Sequence, residues 1–160
     1  MALVYYPTGL GEALGDILVT GSDLYASGGS ATPIRYVHHS GNDTDPGHQR
    51  EEPKQTLGSA ATASSAGDII VLLDGHTETL TANVDISNLT VVGAGSSGGI
   101  PTVKLTCDMG GASMLTMGGV SQLLNVYIDE ETQANSAGTV AINNANYALI
   151  RGCYFKCGQH

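Results

Sequence analysis

The segment from Tyr36 to Leu80 constrains the fold of this chain most strongly. It opens with a short apolar stretch that predicts an edge strand over residues 35–38, and a loop rich in Gly, Asn, Asp and Pro follows. These residue types favour turns. A run of small residues then predicts a helix over about 54–65, and Ile69–Leu73 reads as a buried strand. The segment therefore predicts strand, loop, helix and strand in close succession, with a tight turn after the second strand.

This segment resembles the start of right-handed parallel β-helix proteins, the family that includes pectate lyase-like proteins and phage tailspikes. The matching residues are Tyr36, Val37, Ser40, Gly41, Asn42, Asp43, Pro46, Gly47, Pro53, Thr56, Leu57, Ala60, Ala63, Gly67, Asp68, Ile70, Leu72, Gly75 and Glu78. One departure is His76 and Thr77, where the family usually carries an aromatic residue. The resemblance implies an all-β fold, a right-handed parallel β-helix or solenoid with a short N-terminal capping helix. It does not decide the function, because this fold carries lyases, hydrolases, adhesins and inert spacers.

The composition agrees with thin stacked strands. Gly is abundant at 22 residues, aromatic residues make up 5% and Trp is absent, which suits a solenoid better than one large globular core. The net charge of −9 argues against nucleic acid and anionic membranes as partners. The three cysteines do not form a disulfide framework, and the N-terminus lacks a signal-peptide pattern. We therefore expect assembly in a reducing cytoplasm.

Residues 1–34 differ from the rest of the chain, and we treat residues 35–160 as the β-helix domain. The first 34 residues contain no Lys or Arg and carry much apolar surface. We expect them to form an arm that attaches to sister subunits or to other proteins, because exposed apolar patches mark interaction sites. The candidate attachment residues are Leu3, Val4, Tyr5, Tyr6, Leu10, Ile17 and Leu18. An N-terminal strand and cap covering the first turn of the same domain is the alternative.

Internal similarity in the second half favours a solenoid. Three segments align, namely Ser87–Val92, Ser121–Val126 and Asn146–Arg151, and a shorter apolar segment precedes each of them. Strand alternation then predicts inward-facing side chains. They are Leu89, Val91, Leu123 or Leu124, Val126, Ile128 and Leu149. An antiparallel β-sandwich, which also has many short strands, stays open as the alternative.

Several motifs could carry chemistry, and each has a structural interpretation. Residues 93–98 match GxGxxG, but Gly99, Ile100 and Pro101 block the helix that a dinucleotide site requires, so we interpret them as a turn. The possible metal ligands are His38, His39, Asp43, Asp45, His48, Cys153, Cys157 and His160. Their spacings match neither a calcium loop nor a zinc site. We expect no metal and no cofactor.

An enzyme of this fold would need carboxylates. Glycoside hydrolysis uses two of them at a fixed separation. The candidate catalytic residues are Asp74, Asp129 and Glu131. No Lys or Arg lies beside them in sequence, so we interpret them as exposed turn acids.

These observations predict a bacteriophage virion protein. We expect a β-helical module that decorates a capsid or forms the base of a spike or fibre, acts by binding without turnover, and attaches through residues 1–34. By resemblance, such proteins are commonly homotrimers. The segment 157–160 does not read as a polar cap, so another subunit or further polypeptide should cover this end. The alternative is a tailspike depolymerase or pectate lyase-like enzyme that acts on a host polysaccharide.

Overall fold

The computed structural model of the protein describes residues 34–107, 113–130 and 140–156. Within them the fold is all-β, with parallel sheets and one short helix. This confirms the all-β part of the predicted fold class. The predicted attachment residues Leu3, Val4, Tyr5, Tyr6, Leu10, Ile17 and Leu18 lie outside the described residues. Ile34, which we assigned to the arm, is the first residue of a strand.

The helix is α1 (Leu57–Ala63), and it follows the first strand. In chain order the strands are β1 (Ile34–Val37), β2 (Ile69–Leu72), β3 (Thr77–Leu80), β4 (Val84–Asp85), β5 (Thr90–Gly93), β6 (Ser96–Ser97), β7 (Ile100–Pro101), β8 (Lys104–Cys107), β9 (Leu115–Leu124), β10 (Tyr127–Glu130), β11 (Val140–Arg151) and β12 (Tyr154–Lys156).

Two parallel sheets organise these strands. The first has the order β1-β2-β5-β9-β11, and β4 pairs with the N-terminal part of β9. The second has the order β12-β10-β8-β3. Strands β6 and β7 form a separate antiparallel hairpin, and Gly98 and Gly99 in its turn have φ of +60° and +83°. The GxGxxG segment therefore runs from the end of β5 through β6 into the hairpin turn, and it is not the single turn that its sequence predicts.

The register of the first sheet corrects the predicted repeat alignment. The sequence alignment places Leu123 opposite Leu89, whereas in the structure Leu123 pairs with Val91 below it and Ile150 above it. The error is two residues, which preserves the alternation of faces. Leu89, Val91, Leu123, Val126 and Ile128 are all buried, as expected. Leu149 is only half-buried, and Ile150 occupies the position in register with the buried column.

Helix α1 covers one end of the first sheet. Leu57 and Ala60 are fully buried in the core and Ala61 packs against it, in agreement with the predicted apolar face. The helix begins at Leu57 rather than near residue 54. Lys54 is instead bridged to Val37, and the Thr56 hydroxyl caps the helix by accepting a hydrogen bond from Ser59 N at 3.1 Å.

Strands β11 and β12 are the terminal strands of the two sheets at the other end, within the described residues. Large apolar side chains are exposed there. They are Ile142, Tyr147, Ile150, Tyr154 and Phe155, with 36–56% of their surface accessible. These strands keep the apolar pattern of the buried strands beneath them, since Ile150 follows Leu123 and Phe155 follows Ile128. In the described residues, each of the two sheets therefore ends in a strand that exposes large apolar side chains.

Candidate functional site

Of the two predicted catalytic candidates in the described residues, Asp129 is the one that lies in an ion-pair cluster. It lies on β10, between β8 and β12. The register sets Asp129 beside Lys156, and it sets Tyr127 between Lys104 and Tyr154. The parallel pairing of β8, β10 and β12 thus brings five side chains to one strip, which we call the β10 strip (Lys104, Tyr127, Asp129, Tyr154 and Lys156).

The carboxylate of Asp129 is held by two lysines. Lys104 Nζ lies 2.7 Å from Oδ2, and Lys156 Nζ lies 3.1 Å from Oδ1 and 3.4 Å from Oδ2. Lys156 Nζ donates a hydrogen bond to Oδ2. Its contact with Oδ1 is an electrostatic attraction without hydrogen-bond geometry. The Asp129 side chain is 2% exposed, whereas those of Lys104 and Lys156 are 32% and 52% exposed.

These contacts set the ionisation of the strip. The hydrogen bond from Lys104 holds the pKa of Asp129 below its usual value, against the opposing effect of burial, and Lys156 adds to the decrease. The hydrogen bond between Lys156 and Asp129 also raises the pKa of Lys156. Asp129 is therefore an anion at neutral pH. It has no proton to donate to a leaving group, and its lone pairs face cations.

Two tyrosines complete the β10 strip. Their rings meet edge to face with centroids 5.0 Å apart, and Lys104 Nζ lies 5.9 Å from the centroid of Tyr127. Tyr154 is exposed. The strip thus presents aromatic faces, hydroxyl groups and a net charge of +1, which suits binding of a polar ligand better than proton transfer.

The expectation that Asp129 is an exposed turn acid was wrong, because Asp129 lies on β10 and its side chain is 2% exposed. Lys104 and Lys156 are distant in sequence, and only the parallel register brings them to Asp129. A correct alignment of β8, β10 and β12 would have found the cluster, since Lys104 aligns with Tyr127 and Asp129 aligns with Lys156.

The other two catalytic candidates do not join this strip in the described residues. Asp74 lies in the turn after β2 and accepts a hydrogen bond from the Thr102 hydroxyl. It makes no ion pair or hydrogen bond with Asp129 in the described ranges. Glu131 lies outside them. Within the described residues, Asp74 and Asp129 therefore do not form the pair of carboxylates that a glycosidase requires.

Two candidate metal ligands of the loop after β1, Asp43 and His48, have structural partners. Asp43 accepts hydrogen bonds from Gln55 N, Thr56 N and the Thr56 hydroxyl, at 2.9, 2.9 and 2.8 Å. His48 Nε2 lies 3.1 Å from Arg35. In the part of the chain that the structure describes, no group of three or more His, Cys, Asp or Glu residues is arranged to hold a metal ion.

Cys153 packs partly against the core, as a small residue of the strand layer would. Its thiol lies 3.4 Å from the backbone oxygen of Leu123, and burial raises its pKa. A thiol with a raised pKa is a poor nucleophile and metal ligand at neutral pH. Cys157 and His160 lie outside the described residues.

No protein-family model, curated protein or solved structure matches the chain. Within the described ranges, no helix is long and apolar enough to cross a membrane.

Replacing Asp129 with asparagine is expected to lower the free energy of unfolding by about 2 kcal/mol at neutral pH. Removing one partner of a buried ion pair is costly, but both lysines are exposed enough to be rehydrated. Because the pKa of Asp129 is lowered by folding, its contribution is present above the unfolded value of 3.8 and is lost as the pH falls through the folded pKa. Urea unfolding should thus separate the two proteins at neutral pH and bring them together below pH 3.8.

Lys156→Gln is the matched control for this prediction. It removes the more exposed of the two lysines and leaves Lys104 in place, so the loss of stability should be smaller than that of Asp129→Asn. Equal unfolding midpoints for wild type and Asp129→Asn at neutral pH would contradict the prediction.

Proposed function

We propose that this protein is a structural module of a bacteriophage particle, a right-handed parallel β-helix that decorates the capsid or forms the base of a spike or fibre. The sequence resemblance over Tyr36–Glu78 supports the fold, and so does the order of the parallel strands. Ile69 aligns with Thr90, Thr90 with Gln122 and Gln122 with Leu149, so each further pass of the chain adds a strand at the same side of the sheet.

Three residues that match the β-helix family make contacts that fix the loop after β1 and the start of α1, which also supports the β-helix. A Cβ atom at Gly41 would lie 2.3 Å from the backbone oxygen of Pro53, so only glycine allows the loop to close there. Asp43 fixes the residues that precede α1. Glu78 accepts a hydrogen bond from Leu57 N at 2.8 Å and so joins β3 to the same helix.

The exposed apolar layer of β11 and β12 carries the proposal of an assembly role. Strand edges with unpaired backbone groups and large apolar side chains are sites of pairing with another chain. Isolated proteins protect such edges with lysine, proline or other charged residues. Among the twelve residues of β11, Arg151 is the only charged one, and there is no proline. A protein that works within a larger assembly has this edge covered by its neighbours.

Attachment through residues 1–34 and a homotrimeric state complete the proposed role. Three parallel β-helices side by side can bury faces that a single copy exposes, and an apolar arm can dock on the particle. The partners would be other virion proteins, of the capsid or of the tail, and the location would be the virion.

Deletion of residues 2–30 tests the attachment. The particle is assembled with the wild-type or the shortened protein, and the bound copies are counted by mass spectrometry of purified particles. We expect the shortened protein to fold, with an unchanged circular dichroism spectrum, and to be absent from the particle. Normal incorporation of the shortened protein would overturn the proposed role of the arm.

A tailspike depolymerase is the second candidate, and the β10 strip is the observation that favours it. Ionised Asp129, two lysines and two tyrosines could bind a host glycan. Release of reducing or unsaturated sugars from host polysaccharide would support this function, and alanine at Asp74, Asp129 or Glu131 should then abolish the release. Asp85→Ala is a suitable control, because Asp85 lies on β4 and accepts hydrogen bonds only from nearby Ser87 in the described residues.

A further inference from the structure

Three imidazoles meet where the loop after β1 faces the turn after β2. The ring centroids of His38 and His39 are 4.1 Å apart, and each lies 6.4 Å from that of His76. His76 is fully buried, and its Nε2 lies 3.1 Å from Glu78 Oε2. We infer that this imidazole cluster (His38, His39, His76 and Glu78) is a proton-operated latch, which holds the β1–α1 loop (residues 38–56) in place at neutral pH and releases it on acidification. The inference is independent of the proposed function.

The contacts of His76 leave no place for a second proton. Its Nε2 faces the carboxylate of Glu78, so Nε2 carries the hydrogen and donates it. Its Nδ1 is buried and has no hydrogen-bond partner in the part of the chain that the structure describes. An N–H group at Nδ1 would be buried without an acceptor, which is unfavourable. Opening of the surroundings would give Nδ1 access to water.

His38 is constrained at the same ring atom. Its Nδ1 accepts a hydrogen bond from Ser40 N at 3.3 Å and lies 2.7 Å from the Ser40 hydroxyl. A proton on Nδ1 would face the backbone donor and end that contact. Burial lowers the pKa of His38, the neighbouring His39 and His76 lower it further, and a backbone hydrogen bond with Asp74 opposes them.

Backbone contacts connect the imidazole cluster to the rest of the β1–α1 loop. Glu78 Oε2 accepts the hydrogen bond from Leu57 N as well as that from His76. His38 N donates to Lys54 O at 2.9 Å, and Lys104 N donates to His76 O at 2.9 Å. Displacement of either imidazole would therefore disturb both ends of the loop and the start of α1.

The charges around the cluster do not compensate for added protons. On the neighbouring elements they are Arg35 of β1, Asp43, Asp45, Arg50, Glu51, Glu52 and Lys54 of the loop, Asp74 of the turn, Glu78 of β3 and Lys104 of β8. Lys54 Nζ is bound to the backbone oxygen of Asp43, and Lys104 to the carboxylate of Asp129. The Asp74 side chain accepts from Thr102, which leaves Glu78 as the carboxylate bonded to an imidazole in the described residues. One carboxylate can offset one imidazolium, and a second or third would be repelled.

The direction of the pH effect follows from the lowered pKa. A histidine whose pKa is lower in the closed state than the ordinary 6.5 supports that state above pH 6.5, and this support is lost as the pH falls below it. Each such histidine favours opening by up to about tenfold for each pH unit below 6.5. The open fraction should thus rise as the pH falls below 6.5.

Amide hydrogen exchange on the full chain at about pH 7.5 and about pH 5, corrected for intrinsic exchange rates, tests the latch. We expect amides of residues 37–57 to lose at least about tenfold more protection than those of β5 and β9. The double variant His38→Asn with His76→Gln should remove this difference, because asparagine keeps an acceptor toward Ser40 and glutamine keeps a donor toward Glu78, while neither takes up a proton. His48→Gln, in the same loop but outside the cluster, should retain it.

Three results would overturn the latch. The wild type could lose protection equally in both regions, or the double variant could keep the selective loss. Zinc ions could protect residues 37–57 at neutral pH in a way that a chelator reverses, which would make the cluster a metal site instead. If His76→Gln does not fold, His38→Asn alone decides, because it must then reduce the selective loss at least threefold.

Discussion

Gly93→Ala is expected to lower the free energy of unfolding by about 3 kcal/mol, at the upper end of the usual cost of overpacking. A Cβ atom at Gly93 would lie 2.1 Å from the backbone oxygen of Asn125 and 3.2 Å from the side chain of Val103. The obstructing atom belongs to the backbone, so no side-chain rotation removes the clash. The turn after β9 would have to move away from β5, and the contacts that hold the two turns together would be lost.

Asn125 shows why this position matters. It has a φ of +53°, which ends β9, and its side-chain amide donates to Gly93 O at 2.7 Å and to Gly95 O at 3.0 Å. Asparagine tolerates this left-handed conformation better than most residues. A shift caused by alanine at residue 93 would break both hydrogen bonds. Thermal unfolding of the purified variant should therefore show a midpoint lower by roughly 10 °C, given the size of the domain.

Gly75→Ala is the matched control, because it changes glycine to alanine without a steric contact. Gly75 has a φ of +74°, and a Cβ atom there would have nothing within 4 Å. Only the backbone strain of about 1 kcal/mol applies. The two variants thus separate strain from overlap, and a smaller loss for Gly93→Ala than for Gly75→Ala would show that the turns after β5 and β9 are not in contact.

The parts of the fold that depend on neighbours in sequence were predictable. The spacing of Leu57 and Ala60 identified the buried face of α1, and the apolar run before Asp74 identified β2. Alternation identified the buried face of β5 and β9 even though the repeats were aligned two residues out of register, because a shift of two preserves the face. Local patterns decide these features.

The β10 strip was not predictable in the same way. Its charges come from three strands that are separated by turns and loops of different lengths, so their meeting depends on register alone. Strand β3 was missed as well, since Thr77–Leu80 carries only one apolar residue and its pairing with β8 supplies the stability that its own sequence lacks. The helix boundary shifted for a related reason. Asp43, eleven residues before Lys54, holds the chain extended until Leu57.

Asp43→Ala is expected to have the second large effect, a loss of about 3 kcal/mol in the free energy of unfolding. The carboxylate accepts three hydrogen bonds, from Gln55 N, Thr56 N and the Thr56 hydroxyl. Hydrogen bonds to a charged group contribute about 1.5–3 kcal/mol each in favourable cases, but the site is close enough to water for the freed donors to be partly rehydrated. The loss should be visible as a lower urea midpoint with an unchanged slope.

Two further variants serve as controls for Asp43→Ala. Asp43→Asn keeps one acceptor oxygen without the charge, so it should cost less than alanine. Asp45→Ala, two residues further along the same loop, should stay within about 0.5 kcal/mol of the wild type. Similar losses for Asp43→Ala and Asp45→Ala would contradict the role of Asp43. If the expected order is observed, Asp43 acts by ending the loop and starting α1, and a catalytic or metal-binding role is not needed to explain its presence.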